Sequence, residues 1–190
     1  MLSAADRTRL ALKNLEFCLP NSLQKLSHSS GVVRWPYQPR DDELRAIFVH
    51  VPKAAGTSLR RALYDSKSFH IPAIRYKTAD AERFSNYFKF CIVRNPWDRL
   101  LSAFRYLHRR VGSDPRYLDH RWATATFGEV GCFSTFLTKL ENEEFFRRRV
   151  RRYIHFRDQL DWISAPRLAG RQILMDYIGK FETLETDYCF

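Results

Sequence analysis

The stretch that decides the fold runs from Ile47 to Leu63 and reads IFVHVPKAAGTSLRRAL. Its first five residues, through Val51, are mostly β-branched or aromatic, and a run this short and apolar predicts a buried strand. Pro52 lacks a backbone N–H and cannot continue the strand. Apolar residues then recur at helical spacing from Leu59 onward. The sequence therefore predicts a strand, a tight loop and a helix in direct succession.

The loop between this strand and this helix carries groups that suit an anion. Lys53 supplies a positive charge, and Gly56 permits a backbone shape or a close approach that a side chain would block. Thr57 and Ser58 stand where helix N-caps are wanted and offer two hydroxyls. The start of a helix adds free N–H groups and the positive end of its dipole. A phosphate or a sulfate is therefore the expected ligand, although an ordinary strand-to-helix turn with an exposed lysine has the same pattern.

The composition is that of a basic globular protein. The chain has 190 residues, of which 45% are hydrophobic and 15% aromatic, and this fits one domain with its own core. Lysine and arginine number 32 against 21 aspartates and glutamates, which gives a net charge of +11. This surplus attracts polyanions as a class, including nucleic acid, anionic lipid, acidic glycans and multiply charged nucleotides.

Signals for a membrane, secretory or metal-binding protein are missing from the sequence. No apolar run approaches the ~20 residues of a membrane span. The N-terminus lacks the layout of a signal peptide, so we expect no transmembrane segment and a cytosolic location. The cysteines fall at Cys18, Cys91, Cys132 and Cys189. Because they lack ligand spacing, neither a zinc site nor a disulfide framework is predicted.

The chain before the first strand divides into a helix and a linker. The segment from Ser3 to Leu19 has leucines on one helical face, and Ser3 with Asp6 resembles a capping box. The residues that follow are rich in serine, proline and charge, which favours an irregular connection. We therefore place a lead-in helix and linker over residues 1–43 and the functional domain over residues 44–190.

A second strand and helix repeat the first arrangement. Tyr87–Val93 is nearly continuous in apolar residues, as the strands of a parallel sheet are. Asn95 is a favourable N-cap, and Pro96 suits the first helical position. Ser102 falls on the polar face of this helix, which solvent alone would also explain. The opposite face is predicted to carry Trp97, Leu100, Leu101, Phe104 and Leu107.

The rest of the chain falls into four segments. Residues 111–132 contain glycine and proline breakers and are predicted to be irregular. A helix is predicted over Phe133–Leu140, and Ile173–Phe181 is predicted to be a third core strand. Glu141–Arg152 begins with acids and ends with arginines, an order that favours a solvated helix end because it matches the helix dipole. The alternative is that these arginines form a binding surface for an anionic acceptor.

Two motifs resemble those of the sulfotransferases. Residues 50–58 read HVPKAAGTS and are similar to the loop that binds the 5′-phosphosulfate in that family, whose pattern is close to His-x-Pro-Lys-x-x-Gly-Thr-Ser. Residues 94–104 read RNPWDRLLSAF and are similar to the motif that binds the 3′-phosphate. In that motif the strand-end arginine and the helix serine, here Arg94 and Ser102, hold the phosphate. The two motifs stand in the family's order.

Two later segments extend the resemblance to the carbohydrate sulfotransferases grouped with the Golgi chondroitin and dermatan enzymes and their bacterial relatives. These segments read HFRDQ at residues 155–159 and DYIGKFETLE at residues 176–185. The resemblance runs from about Leu44 to Phe190. Since the family pattern continues into a further helix, the chain is expected to be a short member of the family or a fragment.

The resemblance implies a fold, a ligand and a reaction. The fold is expected to be α/β and P-loop-like, a three-layer domain with a central parallel sheet flanked by helices. The ligand is expected to be 3′-phosphoadenosine 5′-phosphosulfate. Its sulfuryl group is expected to pass to a hydroxyl group of a carbohydrate, in a reaction that requires no metal. The residues expected to bind this donor are Lys53, Ala54, Ala55, Gly56, Thr57, Ser58, Arg94 and Ser102.

Two residues are expected to carry the chemistry. Lys53 would stabilise the charge that develops on the leaving oxygen. His70 lies between the two phosphate motifs, the region from which related enzymes supply a catalytic histidine, and would take the proton of the acceptor hydroxyl. His155 matches a family position and is the alternative base, whereas His50 is expected to be packed.

Two other classes of protein share parts of these patterns. Another P-loop nucleotide enzyme, such as a kinase, would carry its lysine after the glycine and a metal-binding aspartate after an apolar strand, and neither is evident. A non-enzymatic binder of polyanions or nucleic acid would explain the net charge and the arginine run. No recognised nucleic-acid module is present, so a nucleic-acid partner is not expected.

Overall fold

The computed structural model describes residues 2–15, 35–64 and 70–187. The helices in these ranges are α1 (Ala4–Leu15), α2 (Pro39–Leu44), α3 (Gly56–Tyr64), α4 (Ala73–Ala79), α5 (Ala81–Asn86), α6 (Pro96–His108), α7 (Leu118–Phe127), α8 (Phe133–Asn142), α9 (Glu144–Arg151), α10 (Gln159–Ile163) and α11 (Leu184–Asp187). The strands are β1 (Ala46–Val49), β2 (Phe88–Val93), β3 (Ser164–Pro166), β4 (Arg171–Ile173) and β5 (Tyr177–Lys180), and a 3₁₀ turn spans Phe181–Thr183. None of the helices in the described ranges is long and apolar enough to span a membrane.

The chain divides into two compact units. The sheet unit comprises Leu15–Asn95 and Asp158–Phe190, so far as these are described, and it contains all the strands named above. The helical unit comprises Met1–Asn14 and Pro96–Arg157, and it contains α6 to α9 together with most of α1. This division does not test the boundary predicted between residues 43 and 44, which stays a prediction.

A parallel sheet of three strands forms the centre of the sheet unit. Its order is β1-β2-β5, and Val49 lies opposite Cys91, which in turn lies opposite Ile178. The predicted α/β fold with a central parallel sheet flanked by helices is confirmed. Because the strands run the same way, the segments that follow Val49, Val93 and Lys180 emerge at one edge of the sheet, the edge where such folds bind ligands.

The buried face of β1 fixes α3 against the sheet. Ile47, Phe48 and Val49 are at most 1% exposed. Phe48 forms a small apolar cluster with Tyr64 of α3 and Ile92 of β2. The backbone N–H of Phe48 also donates to the hydroxyl oxygen of Tyr64 at 3.2 Å. Each fully buried large apolar side chain contributes about 1.5–3 kcal/mol, so both ends of the β1–α3 loop are firmly held.

The third core strand is shorter than predicted. Tyr177–Lys180 joins the parallel sheet, but Ile173 ends β4, which pairs with β3 in a separate antiparallel ladder. Asp176 lies between the two strands. Its carboxylate accepts from the backbone N–H of Lys89 at 2.8 Å, and its own N–H donates to the carbonyl of Lys89 at 2.8 Å. This double anchor at a residue type that strands disfavour sets the start of β5.

An aromatic core holds the helical unit together. Its buried members are Ala103, Phe104, Leu107, Trp122, Ala123, Phe127, Val130, Phe136, Phe146, Val150, Tyr153 and Phe156. The prediction that residues 111–132 are irregular is wrong, because α7 lies within them. Gly112 and Pro115 precede this helix and Gly128 follows it, so the breakers bound a helix whose apolar face packs into the core.

Helix α6, which begins within the second motif, starts at Pro96, as predicted, but its apolar face is shifted. Phe104 and Leu107 are buried, whereas Trp97 is 77% exposed and its assignment to the buried face is wrong. Arg99 is buried instead of Trp97, because the Arg99 guanidinium donates to two backbone carbonyls of the helical unit.

Three further sequence predictions have clear outcomes. The capping box of α1 is confirmed, because Asp6 N–H donates to Ser3 Oγ at 3.1 Å and Ser3 N–H donates to Asp6 Oδ2 at 3.3 Å. The predicted end of that helix at Leu19 and most of the linker lie outside the described residues, but α2 forms within the predicted linker. The helix predicted over Phe133–Leu140 is confirmed as α8, and a break at Glu143 separates it from α9.

Candidate active site

The loop that joins β1 to α3 has an unusual backbone. Lys53 has φ 68° and Ala55 has φ 59°, both in the left-handed region. An L-residue pays about 1–2 kcal/mol for that conformation. Alternation of left-handed and right-handed residues turns successive N–H groups to one side and forms a concavity that binds anions. Lys53 and Ala55 give the loop two left-handed positions, as such a concavity requires, and the predicted role of the loop in binding an anion stays a prediction.

The two hydroxyl residues of the motif do not cap the helix. Helix α3 begins at Gly56, so Thr57 and Ser58 lie within its first turn, and their assignment as N-caps is wrong. The N–H of Ser58 donates to the carbonyl of Ala55 at 3.1 Å. Both side chains are exposed at the start of the helix, where the N–H groups of Gly56 and Thr57 precede the first bonds to the carbonyl of Ala55. They are therefore placed to assist binding of an anion at this helix end.

Gly56 is required by a close approach. A Cβ at this position would lie 1.8 Å from Cδ2 and 2.2 Å from Nε2 of His50. His50 is 3% exposed, as expected for a packed histidine, and Ala54 is 1% exposed. The imidazole therefore lies directly over the start of α3, and only glycine leaves room for it.

His70 lies beside this loop. Its Nδ1 is 3.2 Å from the backbone carbonyl oxygen of His50, and the two imidazole rings are 4.2 Å apart. When Nδ1 carries the proton, it donates to that carbonyl and Nε2 becomes the basic nitrogen of the ring. The structure thus brings the predicted base to the loop that holds Lys53, whose side chain is partly buried.

Helix α10 supports both His70 and the second motif. Trp162 of this helix is fully buried and meets the His70 ring edge-on at 6.0 Å. Gln159 forms two hydrogen bonds with one residue: the N–H of Arg94 donates to its Oε1 at 2.9 Å, and its Nε2 donates to the carbonyl of Arg94 at 2.7 Å. Sequence reasoning gave Gln159 no role, because nothing in the chain pairs residues 65 positions apart.

Arg94 follows the end of β2, the strand next to β1. Its guanidinium lies 4.3 Å from the ring centroid of Phe181. The adjacent N–H of Asn95 donates to Oε1 of Glu182 at 2.7 Å. Among the described residues, the buried Nε of Arg94 has no hydrogen-bond partner. A buried donor left unpaired costs about 1–3 kcal/mol, which an anionic ligand would offset.

Ser102 and His155 belong to the helical unit. Ser102 is partly exposed on α6. The prediction that it shares a phosphate with Arg94 joins residues of different units and stays a prediction. His155 is 6% exposed, and its Nε2 is 3.1 Å from Oδ2 of Asp119.

The environment of His155 is that of a core residue. Burial acts to raise the pKa of Asp119, but hydrogen bonds from His155, Tyr153 and Tyr106 outweigh it and hold that pKa well below its ordinary value. Arg99 fixes the same segment, since its Nη1 donates to the carbonyl of His155 at 3.2 Å. This network favours a structural role for His155 and leaves His70 as the better candidate for the base.

A metal site is not evident in the part of the chain that the structure describes. No group of three or more histidine, cysteine, aspartate and glutamate side chains there could hold a metal ion. The expectation that the reaction needs no metal is not tested by this finding and stays a prediction.

Comparison with known proteins identifies the family. The sequence model of the sulfotransferase family matches residues 40–189. Carbohydrate sulfotransferase 10 of Rattus norvegicus and that of Mus musculus are each 26% identical to this chain over 224 aligned positions, which cover 97% of the chain and 61% of each relative. The chain thus spans about three fifths of the length of these curated relatives. No solved structure matches it at a significant level. Because the family match covers most of the chain and both motif loops, this protein belongs to the sulfotransferase family.

Proposed function

We propose that this protein transfers a sulfuryl group from 3′-phosphoadenosine 5′-phosphosulfate to a hydroxyl of a carbohydrate. The observation that carries the proposal is the loop at Lys53, whose strained backbone opens at the start of α3 with His70 beside it. Membership of the sulfotransferase family and the names of the two relatives support the reaction and the acceptor class. The cytosolic location remains a separate prediction.

The residues of the sheet unit fit the two charged ends of the donor. The N–H groups of residues 53–57 and the dipole of α3 suit the 5′-phosphosulfate. The unpaired Nε of Arg94 suits the 3′-phosphate, because a planar guanidinium donates to phosphate oxygens in a matched geometry. The bound donor supplies an activated sulfuryl group, and its transfer breaks the bond from sulfur to the phosphate oxygen and forms one to the acceptor oxygen.

Lys53 and His70 then have separate roles, one in stabilising charge and the other in accepting a proton. The ammonium of Lys53 stabilises the negative charge on the phosphate oxygen that leaves. Nε2 of His70 accepts the proton of the acceptor hydroxyl, while its Nδ1–H is oriented by the carbonyl of His50. Gln159 is hydrogen-bonded to Arg94, and Trp162 of the same helix packs against His70. The arginine that binds the phosphate and the histidine that acts as base are therefore held at a fixed distance within the sheet unit.

The 3′-phosphate decides between this proposal and the two alternative classes. It is present in the sulfuryl donor and absent from AMP and ATP, so an arginine that recognises it separates a sulfotransferase from a kinase. A binder of polyanions would instead rank ligands by total charge and lose all of them at high salt, because exposed charges are screened.

Isothermal titration calorimetry with adenosine 3′,5′-bisphosphate, AMP and ATP tests the proposal. A charged hydrogen bond is worth about 1.5–3 kcal/mol, so the bisphosphate should bind roughly ten- to a hundredfold tighter than AMP. Arg94→Ala should remove this preference and leave AMP binding nearly unchanged. Arg116→Ala is the matched control, because this exposed arginine carries the same charge, pairs with Asp114 and lies outside both motifs. Equal affinity for AMP and the bisphosphate in the unmodified protein would contradict the proposal.

A further inference from the structure

The helical unit contains a pocket that the proposed reaction does not use. It has a volume of about 520 Å³ and lies between α1, α7, α9 and the two residues that follow α9. Leu10, Ala125 and Trp122 contribute to an apolar wall, and Phe145 stands at the rim with 79% of its surface exposed. Tyr153 stacks on Trp122 with ring centroids 3.7 Å apart, which keeps the wall flat and rigid. A cavity of this size fits one small molecule.

The rim of this pocket is strongly cationic. Four arginines contribute to it, namely Arg7, Arg148, Arg149 and Arg152, and none of the described residues that line it is acidic. Two of the four are already engaged, since Arg148 pairs with Glu144 and Nη1 of Arg7 donates to the carbonyl of Leu2 at 2.9 Å.

The other two arginines are left for a ligand. Within the described part of the chain, the guanidinium groups of Arg149 and Arg152 have no hydrogen bond or ion pair. Arg149 is partly buried, and this burial lowers the pKa of its guanidinium. An unpaired cation that is partly removed from water is costly, and an anion placed against it offsets that cost.

The arginine run of the sequence is therefore not a uniform solvated face. Arg147 turns back onto the chain, where its Nη1 donates to the carbonyls of Leu140 and Glu141 at 2.9 and 2.8 Å. Arg148 and Arg149 point to the pocket instead. One part of the run fastens α9 to α8, and the other part supplies charge to a cavity with an aromatic wall.

We propose that this pocket binds an anionic amphiphile, a small molecule that joins a sulfate, phosphate or carboxylate head to an apolar body. A free inorganic anion would leave the apolar wall uncovered, and a neutral apolar molecule would leave Arg149 unpaired. The chain's own segment 16–34 does not match the charge of the rim, because it contains one acid, Glu16, against Lys25 and Arg34. A concave pocket of about 520 Å³ favours a single dissolved molecule over a flat membrane surface.

Calorimetric titration with octyl sulfate below its micellar concentration tests this site. One molecule should bind per chain, at least tenfold tighter than either octyl glucoside or inorganic sulfate, because each of these offers only one half of the recognition. Arg149→Ala should weaken octyl sulfate binding by tenfold or more, as expected for loss of a charged hydrogen bond. Arg152→Ala, at an exposed position, should weaken it several-fold.

Two control variants keep the result specific to the pocket. Arg116→Ala removes the same charge from an exposed loop and should change the affinity by less than twofold. Arg94→Ala should also leave octyl sulfate binding unchanged, which excludes the candidate active site as the place where the sulfate head binds. The proposal is overturned if Arg149→Ala and Arg152→Ala bind octyl sulfate like the unmodified protein. It is equally overturned if Arg94→Ala abolishes binding, or if anionic vesicles bind and octyl sulfate does not.

Discussion

Replacement of Gly56 by alanine is the sharpest test of how the loop is built. The added Cβ would lie 1.8 Å from Cδ2, 2.2 Å from Nε2 and 2.7 Å from Cγ of His50, distances at which atoms cannot remain. The imidazole has little room to withdraw, because its ring stacks on Phe48 at 6.0 Å and lies 4.2 Å from the ring of His70. The methyl group must therefore displace either the buried histidine or the first turn of α3.

The size of the effect follows from this overpacking. Insertion of a methyl group into a packed site typically costs 1–3 kcal/mol. For a chain of this length each kcal/mol lowers the melting temperature by about 2–4 °C, so we expect a fall of roughly 2–12 °C in thermal unfolding followed by circular dichroism. The rate of sulfuryl transfer should fall by more than the loss of folded protein explains, because the displaced His50 carries the carbonyl that orients His70. Gly131→Ala is the control, since nothing lies within 4 Å of a Cβ there.

A double-mutant cycle assigns the cost to the imidazole. In a His50→Ala background the added methyl group meets no ring, so Gly56→Ala should then cost much less than it does alone. The coupling between the two substitutions should reach about 1 kcal/mol or more. If Gly56→Ala melts with the unmodified protein, or if the two losses simply add, the close approach of His50 is not what requires glycine at this position.

The remaining predictions concern individual side chains. Lys53→Ala should lower the rate of sulfuryl transfer about a hundredfold at unchanged folding, and Lys53→Gly should lose the same activity without loss of stability; near-normal turnover in either variant removes Lys53 from the mechanism. His70→Ala should lower kcat while donor affinity is kept, and the rate of the unmodified protein should fall at acid pH as the imidazole is protonated; if His155→Ala behaves this way and His70→Ala does not, the base is wrongly assigned. Hydrogen bonds from neighbouring hydroxyls lower the pKa of exposed Cys132 to about 7, whereas burial raises the pKa of Cys91 to about 12. Iodoacetamide at pH 8 should therefore label Cys132 far faster than Cys91 in peptide mapping, and the rate at Cys132 should fall below pH 7. Equal labelling of the two cysteines would refute this difference.

The local parts of the site follow from residue types alone. A short apolar run, a proline and then helical spacing predict β1, the loop and α3, because each depends on neighbours in the chain. The expectation that the loop binds an anion also rests on local features, a lysine and a helix start. Asp80 caps the short helix α5 through a contact of the same local kind, since its Oδ1 accepts from the N–H of Arg83 at 2.9 Å.

The supporting contacts do not follow from the sequence. The bonds between Gln159 and Arg94 and the packing of Trp162 on His70 join residues that only tertiary structure brings together. Helix α7 escaped prediction because glycine and proline are read as breakers wherever they occur, although here they stand outside the helix. The exposed position of Trp97 does not follow from its apolar character, on which the prediction of its burial rested.

The left-handed backbone of the loop has a physical origin outside the loop itself. Glycine would adopt this conformation at positions 53 and 55 without the cost of about 1–2 kcal/mol that Lys53 and Ala55 each bear. Val51 and Ala54 are each 1% exposed, and burial of a valine side chain contributes about 1.5–3 kcal/mol, a gain of the same order as the strain. Packing on either side of Lys53 is therefore large enough to offset the cost of the left-handed conformation. At position 53 the proposed chemistry needs a side chain that glycine lacks, which gives the strain there a reason. The proposed anion site is accordingly a property of how β1 and α3 pack as much as of the residues between them.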